Sequence, residues 1–244
     1  MSQSLDLLFL GSGNAFASGR YWSSFLLNGR YLFDASPVAL PHLKRTGTAL
    51  EEIEAIFISH FHGDHFFGLP FLLLEYAENT ARTKELTIVG PPGVEERIRL
   101  VMDACFPFSM NKDCGYKQTY IEVDDGQTGE VGGGTFVARE VSHVDDFGCF
   151  GYRLETDGRS VAYSGDSLMC DALYDLADGS DVFVVECSCW EGACGPHLGP
   201  DDLQELRRRL GPQPPFVLTH LDSGKQDLQI PNCQMADDLA RFHF

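Results

Sequence analysis

Apolar segments of this chain repeatedly run straight into side chains that a hydrophobic core has little use for. "AIFIS" leads into His60, His62, Asp64 and His65 within "FISHFHGDHFFGLP". His143 ends "TFVAREVSH", Asp166 follows "VAYSG", and His220 ends "PFVLTH". Each apolar run bounded by turn residues reads as a strand, with a potential ligand at or just past its C-terminal end. Functional groups commonly sit on loops held by such a scaffold.

The first cluster already restricts the chemistry. In a strand-to-helix turn, His60 and His62 can point the same way, because alternate positions share a side. Asp64 and His65 then come from the turn and the start of the following helix, and they point differently. One ion is poorly served by all four, so two neighbouring ions, one for each pair, are the natural solution. Imidazole with carboxylate suits zinc, and also iron, manganese or nickel; without a thiolate the set does not select zinc uniquely. A lone histidine would be read as an ordinary surface or satisfied core residue. Seven candidate ligands in this order are not.

Strands are expected at 5–10, 25–27, 31–33, 56–59, 86–89, 120–123, 136–141, 151–154, 160–164, 182–186 and 216–219. Helical patterns fit 37–46, 66–78, 94–103, 171–177, 201–210 and 235–242. In the helix at 201–210, Asp201 and Asp202 lie in the first turn and Arg207 to Arg209 in the last, as the helix dipole favours. Strands and helices alternate, yet strands also come in runs, which suggests sheets packed face to face with helices outside. No linker, low-complexity tract or repeat interrupts the 244 residues, so a single domain over 1–244 is expected.

A net charge of −18 opposes long polyanions and argues against a stable nucleic-acid complex. It does not forbid phosphate chemistry, since bound cations invert the local potential. No apolar stretch approaches the ~20 residues that cross a bilayer. The N-terminus lacks a basic region and a signal-length apolar run, so the cytoplasm is the expected compartment. The eight cysteines are spaced irregularly for a disulfide framework. Most are expected to be reduced, and Cys187, Cys189 and Cys194 match no zinc-ribbon spacing.

The chain resembles the metallo-β-lactamase superfamily, whose H-x-H-x-D-H motif stands here as His60-Phe61-His62-Gly63-Asp64-His65. The resemblance runs from "LFLGSGNAF" to "LTHLDSG" and implies an α/β fold, a four-layer αββα sandwich with two divalent metals at one edge. By position, His60, His62 and His143 would hold the first ion, Asp64, His65 and His220 the second, and Asp166 would bridge them. "DHFFGLP", "VSHVDDFGCFGYRLE", "AYSGDS", "VVECS" and the segment from "PHLGP" to "VLTHL" resemble the ribonuclease Z branch in particular. That likeness implies that His197 protonates a leaving alkoxide, that Glu186 orients it, and that the chain forms a homodimer. A carboxylate beside an imidazole keeps it charged and correctly turned. The bland alternative makes His197 an exposed loop residue and Glu186 a strand-end acid.

Two departures weigh against intact tRNA as the substrate. The branch carries a long tRNA-gripping arm between its "GYR" and "YSGD" motifs, and here "GYRLETDGRSVAYSGD" crosses with a tight "TDGR" turn. Its early proline- and lysine-containing loop is replaced by "NAFASGRYWSS". Arg20, Tyr21 and Trp22 from that stretch could line the mouth of the site, or the aromatics could simply pack. "GSGNAF" lacks the third glycine of a dinucleotide loop and reads as an ordinary turn. The segment 106–117 is expected to be a loop near the site.

The expected activity is dinuclear, metal-dependent hydrolysis of phosphodiester bonds in small, anionic substrates, with Asp64, His197 and Glu186 as catalytic groups. Hydrolysis of a carboxylic ester, thioester or lactam on the same metals is the alternative, followed by ribonuclease Z-type RNA processing. A redox di-iron role loses ground because the redox branch resembles an acidic ligand where His62 stands. A non-enzymatic metal-binding protein fits least, since the ligand set is intact.

Overall fold

A computed structural model of the chain describes residues 4–109, 112, 114–191, 194–224 and 228–244. Two sheets of seven strands each face one another among these residues. The first is built from β1 (Asp6–Gly11), β2 (Ser24–Leu27), β3 (Tyr31–Phe33), β4 (Ala55–Phe57), β5 (Leu86–Gly90), β6 (Gln118–Glu122) and β14 (Arg241–His243), in the order β14-β1-β2-β3-β4-β5-β6. The second holds β7 (Thr128–Val131), β8 (Gly134–Glu140), β9 (Phe150–Thr156), β10 (Arg159–Tyr163), β11 (Val182–Glu186), β12 (Phe216–Thr219) and β13 (Cys233–Met235), in the order β13-β12-β11-β10-β9-β8-β7.

Strand periodicity assigns the layers. Tyr31, Phe33, Ala55 and Phe57 point inward, where they meet Tyr152, Val161, Tyr163, Val182 and Val184 of the facing sheet. Phe25, Phe33 and Phe57 stack with ring centres 4.6 and 4.9 Å apart, and Tyr163 meets Phe25 and Phe33 edge-on at 5.4 and 5.8 Å. Burying each such ring contributes roughly 1.5–3 kcal/mol, so this aromatic seam is a main bond between the sheets. The alternate residues Leu32 and Ile56 face outward against α1 (Ala39–Arg45), α3 (Leu69–Glu78) and α4 (Val94–Cys105). On the other side, Ala162, Phe183 and Val185 pack against α5 (Asp171–Ala177) and α6 (Pro200–Leu210). The result is the αββα sandwich of the metallo-β-lactamase fold.

Within the first sheet β3, β4, β5 and β6 run parallel, and in the second β10, β11, β12 and β13 do so. β8 is antiparallel to β9, which is antiparallel to β10, so β8 shares their direction. The C-terminal ends of these strands therefore open at one edge of the sandwich, where ligand sites of open α/β sheets form.

Several sequence expectations need correction. The helix expected at 235–242 is instead the end of β13, a turn and the start of β14, bridging the edges of both sheets. Met235, Leu239 and Phe242 have helical spacing, but the backbone bonds run outward: Ala236 N–H to Leu218 O at 2.8 Å, and Phe9 N–H to Ala240 O at 2.9 Å. Open strand edges outcompete local periodicity there. β7 was not expected, because "TGEV" carries little apolar alternation; it pairs with β8 across Gly132 and Gly133.

The helix expected at 66–78 is two pieces, α2 (Gly63–Phe66) and α3, broken at Phe67 and Gly68. At that break the chain lies against the strand-end segment: Gly68 N–H donates to Ala35 O at 2.8 Å, and Ala35 N–H to His65 O at 2.7 Å. A Cβ on Gly68 would sit 1.9 Å from the Ser36 carbonyl oxygen.

The "TDGR" turn is present as expected, with Asp157 and Gly158 both at positive φ joining β9 to β10. Among the described residues no helix is long and apolar enough to cross a membrane. Cys189 and Cys194 form a disulfide, contrary to a reading in which spacing singled out no pair; their Cα atoms lie 5.6 Å apart. The other cysteines stay outside disulfides.

Gly68→Ala should lower stability by about 1–3 kcal/mol, because the clash is with backbone that cannot swing aside. Urea unfolding followed by circular dichroism measures this, and an unchanged midpoint would show that the break can move.

Candidate metal centre

Each candidate ligand is delivered by a strand end at the common edge. His60 and His62 follow β4, Asp64 and His65 lie in the first turn of α2, His143 follows β8, Asp166 follows β10 and His220 follows β12. All seven predicted ligands come together. His60, His62, His143 and Asp166 form one group whose ligand atoms lie within 4.8 Å of one another, and Asp64, His65 and His220 form another. Asp166 Oδ2 lies between them, 3.8 Å from His60 Nε2, 3.9 Å from His143 Nε2, and 3.3 Å from both His65 Nε2 and His220 Nε2.

Outer hydrogen bonds determine which nitrogen of each ring faces inward. His65 Nδ1 donates to Asp34 Oδ2 at 2.7 Å, and His143 Nδ1 donates to the Pro196 carbonyl at 2.9 Å. The Ser59 hydroxyl gives its proton to Asp34 Oδ2 at 2.8 Å and accepts from His60 Nδ1 at 3.0 Å. The Ser188 hydroxyl likewise donates to Glu186 Oε2 at 2.6 Å and accepts from His220 Nδ1 at 2.6 Å. Four imidazoles thus carry Nδ1–H outward and turn Nε2 to the centre, the arrangement that outer hydrogen-bond acceptors impose on metal-binding histidines.

The inward nitrogens of His60 and His143 both face a third, on His62. His62 Nδ1 lies 3.0 Å from His60 Nε2 and 3.3 Å from His143 Nε2. In the second group, Asp64 Oδ2 lies 3.5 Å from His65 Nε2 and 3.4 Å from His220 Nε2. Ligands at about 2.0–2.1 Å around a tetrahedral ion stand roughly 3.3 Å apart, so the contacts of His62 in the first group and of Asp64 in the second have the spacing of such a shell. His65 Nε2 and Asp166 Oδ1 are buried and lack any hydrogen-bond partner, which is costly unless a cation satisfies them. The donor set therefore fits two divalent ions.

The electrostatics agree. Burial opposes charge on His65, yet Asp166, Asp64 and Asp34 together push its pKa well above the ordinary imidazole value. Burial likewise opposes charge on Asp166, but His220 and His65 hold its carboxyl well below the usual range. The pocket strongly favours added positive charge among its carboxylates.

His197 and Glu186 also meet as expected. Glu186, buried at the end of β11, accepts from His197 Nδ1 at 3.1 Å and from Ser167 N–H at 2.6 Å. Burial works against charge on His197, but the bond to Glu186 and nearby carboxylates raise its pKa above the ordinary value. Its ring lines a cavity of about 560 Å³ together with Asp64, Asp166 and His220.

Asp34, Ser59 and Ser188 were missed from sequence. Asp34 follows the same strand-then-acid pattern in "YLFDAS" and could have been found by it; its carboxylate also accepts from Ser59 N–H at 2.7 Å and Tyr163 Oη at 2.6 Å. The suggested mouth residues lie elsewhere. The Arg20 guanidinium is bound to Ser12 Oγ at 2.8 Å and to Ala236 O at 3.2 Å, with 6% of the side chain exposed. Tyr21 packs edge-on to His42 at 4.7 Å, and Trp22 Nε1 donates to Ala15 O at 3.3 Å. Of the loop expected at 106–117, Met110, Asn111 and Asp113 lie outside the described residues, and none of the others lines the cavity.

A family model described as the beta-lactamase superfamily domain matches residues 29–221. Ribonuclease Z from Geobacillus kaustophilus is 28% identical, covering 98% of each chain. That alignment spans 313 positions against 244 residues here, so dozens of the relative's positions have no counterpart in this chain. Other curated ribonuclease Z relatives match over about half of their own length. Among solved structures, the short form of human tRNase Z superposes with a TM-score of 0.77 at 23% identity, covering 97% of this chain and 98% of that one. A diphosphatase from the PhnP family gives 0.76 at 19% identity, covering 98% of both.

Zinc returned to chelator-treated protein should saturate at about two ions per chain in a competitive titration, as two ligand groups require. Asp34→Asn should weaken that binding by roughly 10–100-fold while the chain still unfolds cooperatively. Equal affinity in the variant would show that Asp34 does not set the ring orientations.

Proposed function

This chain belongs to the beta-lactamase superfamily, and on that premise we propose that it is a metal-dependent hydrolase acting on phosphodiester bonds in small substrates. The observation that carries the reading is the meeting of two ligand groups through Asp166 beside His197, a half-buried ring on the same cavity that is held by the buried Glu186. His60, His62, His143 and Asp166 would hold one ion, and Asp64, His65 and His220, with Asp166, the other. When bound, the ions supply Lewis acidity, lowering the pKa of water and offsetting charge on a substrate oxygen. Zinc suits this all-nitrogen-and-oxygen shell, which iron or manganese would also accept.

The chain's own residues supply orientation and protons. Asp64 lines the cavity, where its carboxylate would accept a hydrogen bond from the attacking water and so orient the nucleophilic oxygen. His197 holds its Nδ1 proton on Glu186, which leaves Nε2–H free to protonate a departing oxygen. Glu186 keeps the ring turned and favours its charged form. A general acid matters most for poor leaving groups such as alkoxides, the groups that phosphodiesters of biological alcohols release.

The sequence relatives that align along this chain are named ribonuclease Z, which supports phosphodiester over ester or lactam chemistry. Three features favour small substrates over RNA: the two-residue turn between β9 and β10, the net charge of −18, and a cavity with no lysine or arginine among its described lining residues. A long polyanion would meet repulsion with little to offset it beyond the metal centre.

Metal-loaded protein should hydrolyse bis(p-nitrophenyl) phosphate and leave a chromogenic lactam, a carboxylic ester and a tRNA precursor essentially untouched. Turnover of the ester or lactam without the diester would reject the reading. His197→Ala should keep its metal and lose roughly 10²–10⁴-fold in rate on alkyl leaving groups, with a much smaller loss on p-nitrophenolate. Equal losses on both leaving groups would remove His197 from the role of acid.

A further inference from the structure

We infer that the substrate carries one negative charge, at its reacting phosphodiester, and a flat, uncharged arm that stacks on Phe16. The inference rests on the proposed phosphodiester chemistry and names its substrate class more closely.

Phe16 lines the same cavity as Asp64, His197 and His220, yet it is 94% exposed. An aromatic ring held in water forgoes the stabilisation that burial gives. Its backbone is not loose. Asn14 Oδ1 accepts from Phe16 N–H at 2.9 Å, while Asn14 Nδ2 donates to Ser188 O at 3.0 Å. Ala15 O accepts from Trp22 Nε1 at 3.3 Å. Ser188 is the residue that holds His220, so the turn bearing Phe16 is tied directly to the metal-facing shell. A ring displayed from a pinned turn is a platform for a planar group, and stacking there costs little ordering.

Charge decides what that group can be. The cavity wall away from the ligands and His197 is supplied mainly by Ala15, Phe16, Gly63, Cys194 and Pro196, with no lysine or arginine among the described lining residues. Arg20, the guanidinium nearest in sequence, is already bound to Ser12, Ala236 and Asp237 and does not line the cavity. An anionic group on the arm would therefore sit unpaired in the field of a chain with net charge −18. A nucleobase-like or aryl arm without its own phosphate or carboxylate meets both conditions.

Calorimetric titration of the zinc-loaded full chain separates these claims, using methyl phenylphosphonate, methyl methylphosphonate and methyl 4-carboxyphenylphosphonate. The ring-bearing monoanion should bind about tenfold tighter than the methyl compound, a typical gain for one stacked ring. Phe16→Ala should erase that advantage and leave methyl methylphosphonate unchanged, while Phe16→Trp restores it. The carboxylated ring should bind at least several-fold more weakly than the plain ring. A ring advantage that survives in Phe16→Ala, or a carboxylated ring that binds as tightly, overturns this inference alone. Loss of a dimer in Phe16→Ala by light scattering, with affinities unchanged, gives Phe16 to a contact between copies and also overturns it. If none of the three phosphonates binds, the phosphodiester reading falls, and this inference with it.

Discussion

Unshared lone pairs facing one another in a buried edge are the constraint on which the rest of this structure hangs. His60, His65, His143 and His220 turn their Nε2 atoms, and His62 its Nδ1, toward one another and toward Asp64 and Asp166. Water cannot relieve them all, because His60, His65 and Asp166 are almost wholly buried. Such a cluster is stable as a set only with positive charge inside it, and divalent ions at tetrahedral spacing provide that charge without distorting the rings. Protons are the alternative source, as the strongly raised pKa of His65 shows.

Holding the rings in that pose is the task of residues one layer out. Asp34 accepts from Ser59, His65 and Tyr163, and through the Ser59 hydroxyl it also fixes His60. Tyr163 reaches it from the opposite sheet, so one carboxylate ties both halves of the sandwich to the centre. Ser188 performs the matching role for His220 and passes its proton to Glu186, which in turn orients His197. The groups proposed for metal binding and for proton donation are therefore mechanically one unit. Asp34 and His220 both adopt positive φ at their strand ends, a backbone cost that functional edges commonly carry.

Around this centre the protein supplies little positive charge of its own. The guanidinium nearest the first turn is consumed in pinning Ser12 and the C-terminal crossover. In the proposed reaction substrate charge would be met at the metals and His197, which concentrates attraction at the reacting atoms and leaves an outer wall without lysine or arginine among its described residues. That division suits the proposed compact monoanion better than an extended polyanion.

Sequence alone picked out the seven candidate ligands that the fold brings together, because imidazole and carboxylate at strand ends have few other uses and their order along the chain is unusual. It determined the layered fold as well, since alternation in "YLF", "AIF" and "SVAY" marks one face for each sheet's partner. It placed His197 near Glu186 only through resemblance, as the two are eleven residues apart in the chain with no periodicity linking them. What needed tertiary structure was whatever depends on distant segments competing for the same partner. Residues 235–242 have helical periodicity, yet two open strand edges claimed their backbone. Arg20 looked available for phosphate until the C-terminal crossover folded onto it, and Phe16 looked ordinary until its turn proved to be tied beside His220. Periodicity and side-chain chemistry are local and can be read along the chain; which hydrogen-bond partner wins is decided only when remote segments meet.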